Sequence, residues 1–322
     1  MARVTQLQLV ALAPRRTLWQ RARLHFRKNG AYWLMALPGL ILIFVFAYAP
    51  LPGIVLAFKN FKYNLGIWGS EWVGLKNFAF LIRTPLAGRV LLNTLFMNAL
   101  FIISGTVVSM FLALLMNEIH HKLRARFYQT AMFFPYFLSA IVVSYLVFAL
   151  LSADNGLLNR LLINLGREPV KWYSEAKHWP VILVLVHLWK SAGFGSILYL
   201  AGMLAISPEY YEAARIDGAS KVKQIFYITL PLLSPIIVIQ VLLAIGRIFY
   251  ADFGLFFVVT RDQAPLRATT EVIDTYVFRA LRTLGDTGMA AAAGFAQSLI
   301  GFLLVLVSNF IVRRIDPDKS LF

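Results

Sequence analysis

The 322-residue chain has no cysteine. That removes disulfides and thiolate metal sites and leaves the compartment open. It is also short of charge: 14% of residues are Asp, Glu, Lys or Arg, against about 25% in soluble domains. Acids are the scarcer sign, 15 against 31 Lys and Arg, for a formal net charge of +16. No HExxH motif, nucleophile elbow or pair of carboxylates equips the chain for catalysis of its own. No Gly-x-x-x-x-Gly-Lys-Ser/Thr loop is present, so any nucleotide hydrolysis belongs to another subunit. The basic balance brings no nucleic-acid module with it. Basic residues instead sit in loops, where they orient membrane helices and meet anionic headgroups.

What the chain does have is apolar length. Hydrophobic residues make up 59% of it, in blocks longer than a soluble core helix requires. About 20 apolar residues cross the hydrocarbon layer as a helix, and backbone in lipid must satisfy its own hydrogen bonds. The blocks lack the period-two alternation of barrel strands, so the expected fold is all-α and polytopic. Six spans are predicted, at about 32–58, 89–118, 127–151, 179–205, 232–260 and 288–312. Within the first, Ala47-Tyr48-Ala49 imitates a signal cleavage site. The block is too long for a signal peptide and Pro50 follows the cut, so it reads as an uncleaved span.

Residues 1–30 hold seven Lys or Arg and no acid. Leu18, Trp19, Ala22 and Phe26 recur there at helical spacing, which fits either a surface helix or a solvated basic tail. With the basic turn 119–126 and Arg313-Arg314 in the 313–322 tail, this segment predicts both termini in the cytoplasm. The segments 59–88, 152–178 and 261–287 would then face outward. The domain division expected is 1–30, a span domain 31–312, and 313–322.

The segment 206–231 is the most informative. Ser207 suits an N-cap and Pro208 a first helical position. Glu209 and Glu212 fall near the positive end of the helix dipole. Ala213 and Ala214 keep the helix slim, and Gly218 lies where it should end and turn. A second short helix from Ser220 to about Thr229 leads into Leu230-Pro231. A polar helix-turn-helix between two spans, with nothing of its own to pack against, calls for a partner protein.

These residues resemble the EAA signature of ABC importer permeases. Glu212, Ala213, Ala214, Gly218, Ile228, Leu230 and Pro231 match it at the correct spacing over twenty residues. The resemblance implies a type I importer permease fold in which this loop is the coupling helix, seated in a groove of the ATP-binding subunit. Glu209, Glu212, Ala213, Ala214, Asp217 and Gly218 would carry that coupling. The stretches 189–194 and 199–203, and Asn93-Thr94, are similar to sugar-importer permeases. Thr270 to Arg279 resembles the polysaccharide branch, including importers of acidic fragments such as alginate. The family implies two ATP-binding subunits that use ATP and Mg, with no cofactor bound by this chain. It also implies a second homologous permease, different in sequence before identical, and an extracytoplasmic solute-binding protein.

Ionisable groups within spans are functional candidates. Lys190, Arg247 and Asp252 stand out, and Asp252 could neutralise Arg247 or Lys190. Basic groups along the path would suit an anionic sugar. Trp189, Tyr199, Tyr250 and Phe253 are candidates for stacking or hydrogen bonding on sugar rings, although helix packing and interfacial belts use the same residues. Two other classes remain open from sequence: a secondary transporter driven by an ion gradient, and a membrane-bound glycosyltransferase. The first lacks an evident inverted repeat. The second would need carboxylates gathered at one membrane face.

Overall fold

The structure, a computed structural model, describes residues 28–79 and 85–321. The proposed basic surface helix within 1–30 lies outside these residues. The chain divides into two compact units at Val55 and Leu56. In the first, α1 (Gly30–Ile43) runs on through a π-helical turn, Phe44–Tyr48. With the 3-10 stretch Leu51–Phe58 it forms a 29-residue candidate span, Gly30–Phe58. From Gly30 to Val55 there is no charged residue, and a helix apolar on every side is a membrane span.

In the second unit two strands of two residues each, Lys59–Asn60 (β1) and Glu71–Trp72 (β2), pair antiparallel. Then α2 (Pro85–Asn117) extends for 33 residues, about 50 Å at 1.5 Å per residue. It is followed by α3 (Lys122–Phe133) and α4 (Ala140–Leu151). Next come the outlying α5 (Leu157–Asn164) and the long α6 (Trp179–Leu204). The chain continues through α7 (Pro208–Ile216) to α8 (Lys221–Ile245), which contains the π-turn Ile225–Thr229. It closes with α9 (Ile273–Leu284) and α10 (Thr287–Ile315).

Large apolar side chains point outward along these helices, among them Phe96, Ile103, Val107 and Phe111 on α2 and Phe302, Val307 and Phe310 on α10. In hydrocarbon such exposure is no liability. Inside, Met97, Phe101, Val143, Trp179, Leu183 and Phe256 form one apolar core. It joins α2, α4 and α6 to the turn Gly254–Val259.

Two predicted spans differ in the structure. The block 127–151 is broken: α3 with its 3-10 extension and α4 meet at 98°. Pro135 lies in the 3-10 turn Phe134–Phe137, and the Ser139 hydroxyl then caps α4 by accepting from Val142 N–H. Proline cannot continue the hydrogen-bond ladder, and a capping serine starts a new helix. The block 232–260 is also not one helix. Its helix ends at Ile245, residues 246–253 turn, and a π-helix resumes at Gly254–Val259. Gly246 and Gly301 let this turn press against α10: a Cβ on Gly301 would stand 2.2 Å from the Gly246 carbonyl oxygen.

The connections gather by ends. Thr269 Oγ1 donates to Ala176 O at 2.7 Å, joining 260–272 to 152–178. At the other end Lys221 pairs with Glu118 at 2.9 Å, joining the 206–231 loop to the α2–α3 connection. The 152–178 loop is organised by Asn159, 2% exposed. Its amide donates to the carbonyls of Ala153 and Val170 and accepts from Val170 N–H and Trp172 Nε1.

Candidate functional site: an exposed loop helix and a cavity at a broken span

The 206–231 loop has the predicted plan. Pro208 opens α7, Glu209 lies in its first turn and Arg215 in its last. Gly218 turns the chain with φ +76°, a conformation that costs other residues about 1–2 kcal/mol. Three details differ from expectation. Ser207 occupies the cap position without a side-chain hydrogen bond, whereas the Ser220 hydroxyl accepts from Lys223 N–H. The second short helix is continuous with α8. The loop is also braced: Tyr211 Oη and Thr229 Oγ1 lie 3.0 Å apart, and Gln224 Nε2 donates to Ala219 O at 3.0 Å. Glu209, Glu212, Ala213, Asp217 and Gly218 are exposed and Ala214 is half-buried. Ile216 is 86% exposed at the tip of α7. The result is a braced helix that presents slim, charged and apolar side chains to its surroundings.

The second feature is a cavity of about 920 Å³ between α2, α6, the end of α8 and the turn that follows. Asn98, Thr106, Ser109, His187, Gln240, Arg247, Tyr250 and Asp252 give it polar walls, and Phe101, Phe194 and Leu198 apolar ones. Of the seven path candidates, Arg247, Tyr250, Asp252 and Tyr199 line it; Lys190, Trp189 and Phe253 are not among the lining residues. Phe253 stacks on Phe257 and meets Phe278 edge-on. Trp189 is about half exposed on α6. Among the described residues no ion pair joins Arg247, Asp252 and Lys190. Asp252 instead accepts from Leu255 N–H at 3.2 Å and caps the π-helix.

A helix that stops within a span leaves backbone groups that lipid cannot satisfy, so such breaks survive only where protein or a water-filled cavity serves them. Here side chains from three other elements do so. Asn98 Nδ2 on α2 donates to Ile248 O at 2.8 Å and Tyr250 O at 3.2 Å. Gln297 Nε2 on α10 donates to Phe249 O at 2.6 Å. Ala251 N–H donates to Asp274 Oδ2 on α9 at 2.8 Å. Tyr250 Oη and Ser298 Oγ share a further hydrogen bond. Asn98, Gln297 and Asp274 were not singled out from sequence, although an amide inside an apolar span is itself a signal.

The softer sequence matches acquire a geometry too. Asn93 Nδ2 donates to the carbonyls of Ala268 and Glu271, and Thr94 Oγ1 accepts from Ile273 N–H at 3.0 Å. Asn93-Thr94 therefore pins the Thr270–Arg279 segment to α2. Arg279 bonds Asp262 and Glu271 and holds α9 to the preceding loop.

A helical bundle of membrane-spanning length, with an exposed loop helix at one end and a polar-walled cavity at a broken span, is the architecture of a solute permease. The chain belongs to the family of binding-protein-dependent transport system inner membrane components, whose profile matches residues 105–320. It is 36% identical over 286 residues to the polygalacturonan/rhamnogalacturonan transport system permease protein YteP of Bacillus subtilis (strain 168), covering 89% of this chain and 88% of that one. It is 28% identical over 298 residues to the sn-glycerol-3-phosphate transport system permease protein UgpA of Salmonella typhimurium, covering 91% and 96%. A solved bacterial ABC transporter involved in import of the acidic polysaccharide alginate contains a chain with TM-score 0.81 and 31% identity, covering 92% of this chain and 99% of that one. A bacterial alginate ABC transporter in complex with an alginate pentasaccharide-bound periplasmic protein gives TM-score 0.82 and 30% identity, covering 94% and 99%.

Proposed function

We propose that this chain is one permease half of an ATP-driven importer whose cargo is an acidic oligosaccharide. The observation that carries the cargo reading is Arg247, which faces the cavity beside Tyr250 and Asn98 with no ion pair among the described residues. A guanidinium without an ion-pair partner favours an anionic guest, and Tyr and Asn groups suit sugar oxygens. The relatives named for pectic and alginate polymers support the same class. The glycerol phosphate relative is anionic in its cargo too.

The remaining parts follow from the docking helix. Two ATP-binding subunits receive 206–231 of this chain and of a second, homologous permease; ATP and Mg act in those subunits, and this chain binds no cofactor. Glu209, Glu212, Ala213, Ala214, Asp217 and Gly218 form the contact. Both termini lie in the cytoplasm, the 152–178 and 261–287 segments face outward, and a solute-binding protein delivers cargo there. Lipid surrounds the bundle, and nucleic acid has no part. Closure of the ATPases biases the cavity between outward and inward access, as a ligand biases a two-state equilibrium.

The test is uptake by the reconstituted complex, with uronate and neutral oligosaccharides compared. Arg247→Gln is expected to raise the half-saturating concentration of the uronate by about tenfold, the worth of one charge-assisted hydrogen bond, and to leave the neutral sugar little changed. Equal effects on both, or none, would remove Arg247 from the path. Uptake that follows an ion gradient without ATP would favour the secondary transporter.

A further inference from the structure

The turn 246–253 poses a mechanical question. It carries Arg247, Tyr250 and Asp252 into the cavity, yet it is irregular backbone at membrane depth. Its position has to come from side chains outside it.

Gln297 Nε2 has two N–H bonds: one meets Phe249 O at 2.6 Å, the other Asp274 Oδ2 at 3.3 Å. Asp274 Oδ2 also takes the Ala251 N–H at 2.8 Å. The four groups make a continuous chain from one turn residue, through two side chains, back to another turn residue two positions away. Neither Asp274 nor Gln297 lines the cavity, so neither is placed to meet cargo. Both are tied to rigid elements. Gln297 sits in the middle of α10, and α9 is fixed by Ile273 N–H on Thr94 and by Arg279 on Asp262 and Glu271. Asn98 holds the turn from the opposite side.

We propose that Asp274 and Gln297 are positioning residues for transport: they clamp the unwound turn from α9 and α10 and so set where Arg247, Tyr250 and Asp252 stand in the cavity. The requirement on residue 274 is an acceptor, not a charge. An asparagine side-chain oxygen in the same place accepts from both Ala251 and Gln297; a leucine of similar size accepts from neither. Burial also raises the Asp274 carboxyl above its ordinary range, in spite of these donors, which agrees with a site where the charge itself is unneeded. The proposal rests on the cavity as cargo path for its consequence in transport, but the geometry can be tested without transport.

The chain's lack of cysteine supplies the tool. Ile248→Cys places one thiol on the cavity wall within the turn, and its rate of reaction with a charged methanethiosulfonate reports how the turn is presented. The assembled complex carrying this thiol is compared with versions that add Asp274→Asn, Asp274→Leu or Gln297→Leu. Asp274→Asn is expected to label, and to take up cargo, as the parent does. The leucine variants are expected to assemble and hydrolyse ATP, while the labelling rate and half-saturating cargo concentration each move by about tenfold, since small misplacements of binding groups weigh heavily. Parental labelling and half-saturation in both leucine variants would overturn the clamp. So would an Asp274→Asn variant as defective as Asp274→Leu, because charge and not acceptance would then be at work. Should a leucine variant fail to assemble, Gln297→Asn keeps the amide but shortens its reach, and the same two outcomes decide. A silent Arg247→Gln with shifted labelling would instead remove the cargo path and leave the clamp standing.

Discussion

Asp274 shows how burial and hydrogen bonding oppose each other at a half-buried carboxyl. Burial is the largest influence on its carboxyl and lifts its pKa; the donors Ala251 and Gln297 pull the other way. An acid whose folded pKa lies above its unfolded value binds its proton more tightly when folded. Stability is then greatest below the unfolded value, near 4, and falls as pH rises through the folded value. Asp274→Asn removes the charged form without removing the acceptor. Its melting temperature is expected to exceed the parent's at pH 7, with the gap closing as pH approaches about 4. A variant that melts lower than the parent at pH 7, measured by thermal unfolding of the purified complex, would contradict this. Arg247 and Asp252 were legible in the sequence because charge inside an apolar run is conspicuous. Asp274 was not, since it sits in a mixed outer segment and its partners are 23 positions away on either side.

At the scale of elements, the 206–231 loop was legible because its signals are local. Pro208 opens a helix, Glu209 suits its positive end, and Gly218 alone permits the turn with φ +76°. Gly218→Val is expected to cost about 1–2 kcal/mol at that turn and to redirect α7 against Lys221 and the rest of α8. The measurement is recovery of ATP-binding subunits with the permease: reduced recovery with a folded bundle is the expected outcome, and undiminished recovery would show that the turn's direction is immaterial. The breaks in the third and fifth predicted spans were hidden for the opposite reason. Apolar residues continue across both, and hydropathy cannot distinguish a helix from a turn of the same composition. Pro135 and Ser139 mark the first break only in retrospect. The second depends on Asn98, Asp274 and Gln297, which are distant in sequence and act through backbone atoms that no motif records. The brace of Lys221 on Glu118 was equally invisible; with both side chains more than half exposed, it contributes about 0–1 kcal/mol.

For the whole molecule, composition settled the membrane class, because apolar blocks of spanning length and scarce charge have one physical solution. The resemblance of the loop to a known signature supplied the transporter class, and the matched family agrees with it. What remained was where the spans leave a cavity, and the fifth span bounds it. Its unwound turn bends Arg247, Tyr250 and Asp252 into a cavity, at the other end of α8 from the loop that would receive the ATPase. The two features define one device if movement of the loop reaches the turn through the intervening helix α8, which carries both.

If α7 transmits ATP-driven movement to the cavity, a change on its exposed face uncouples the ATPase from cargo. The permease is purified with its companion subunits, and ATPase activity with and without cargo-loaded binding protein is compared between the parent and Glu212→Lys. Glu212 is exposed, lying 4.0 Å from Arg215 on α7, so the substitution reverses the charge at that position without disturbing the bundle. The expected result is a folded permease that loses its ATPase subunits, or retains them with stimulation by the binding protein abolished. Copurification and stimulation at parental levels would contradict the assignment of this helix as the coupling element.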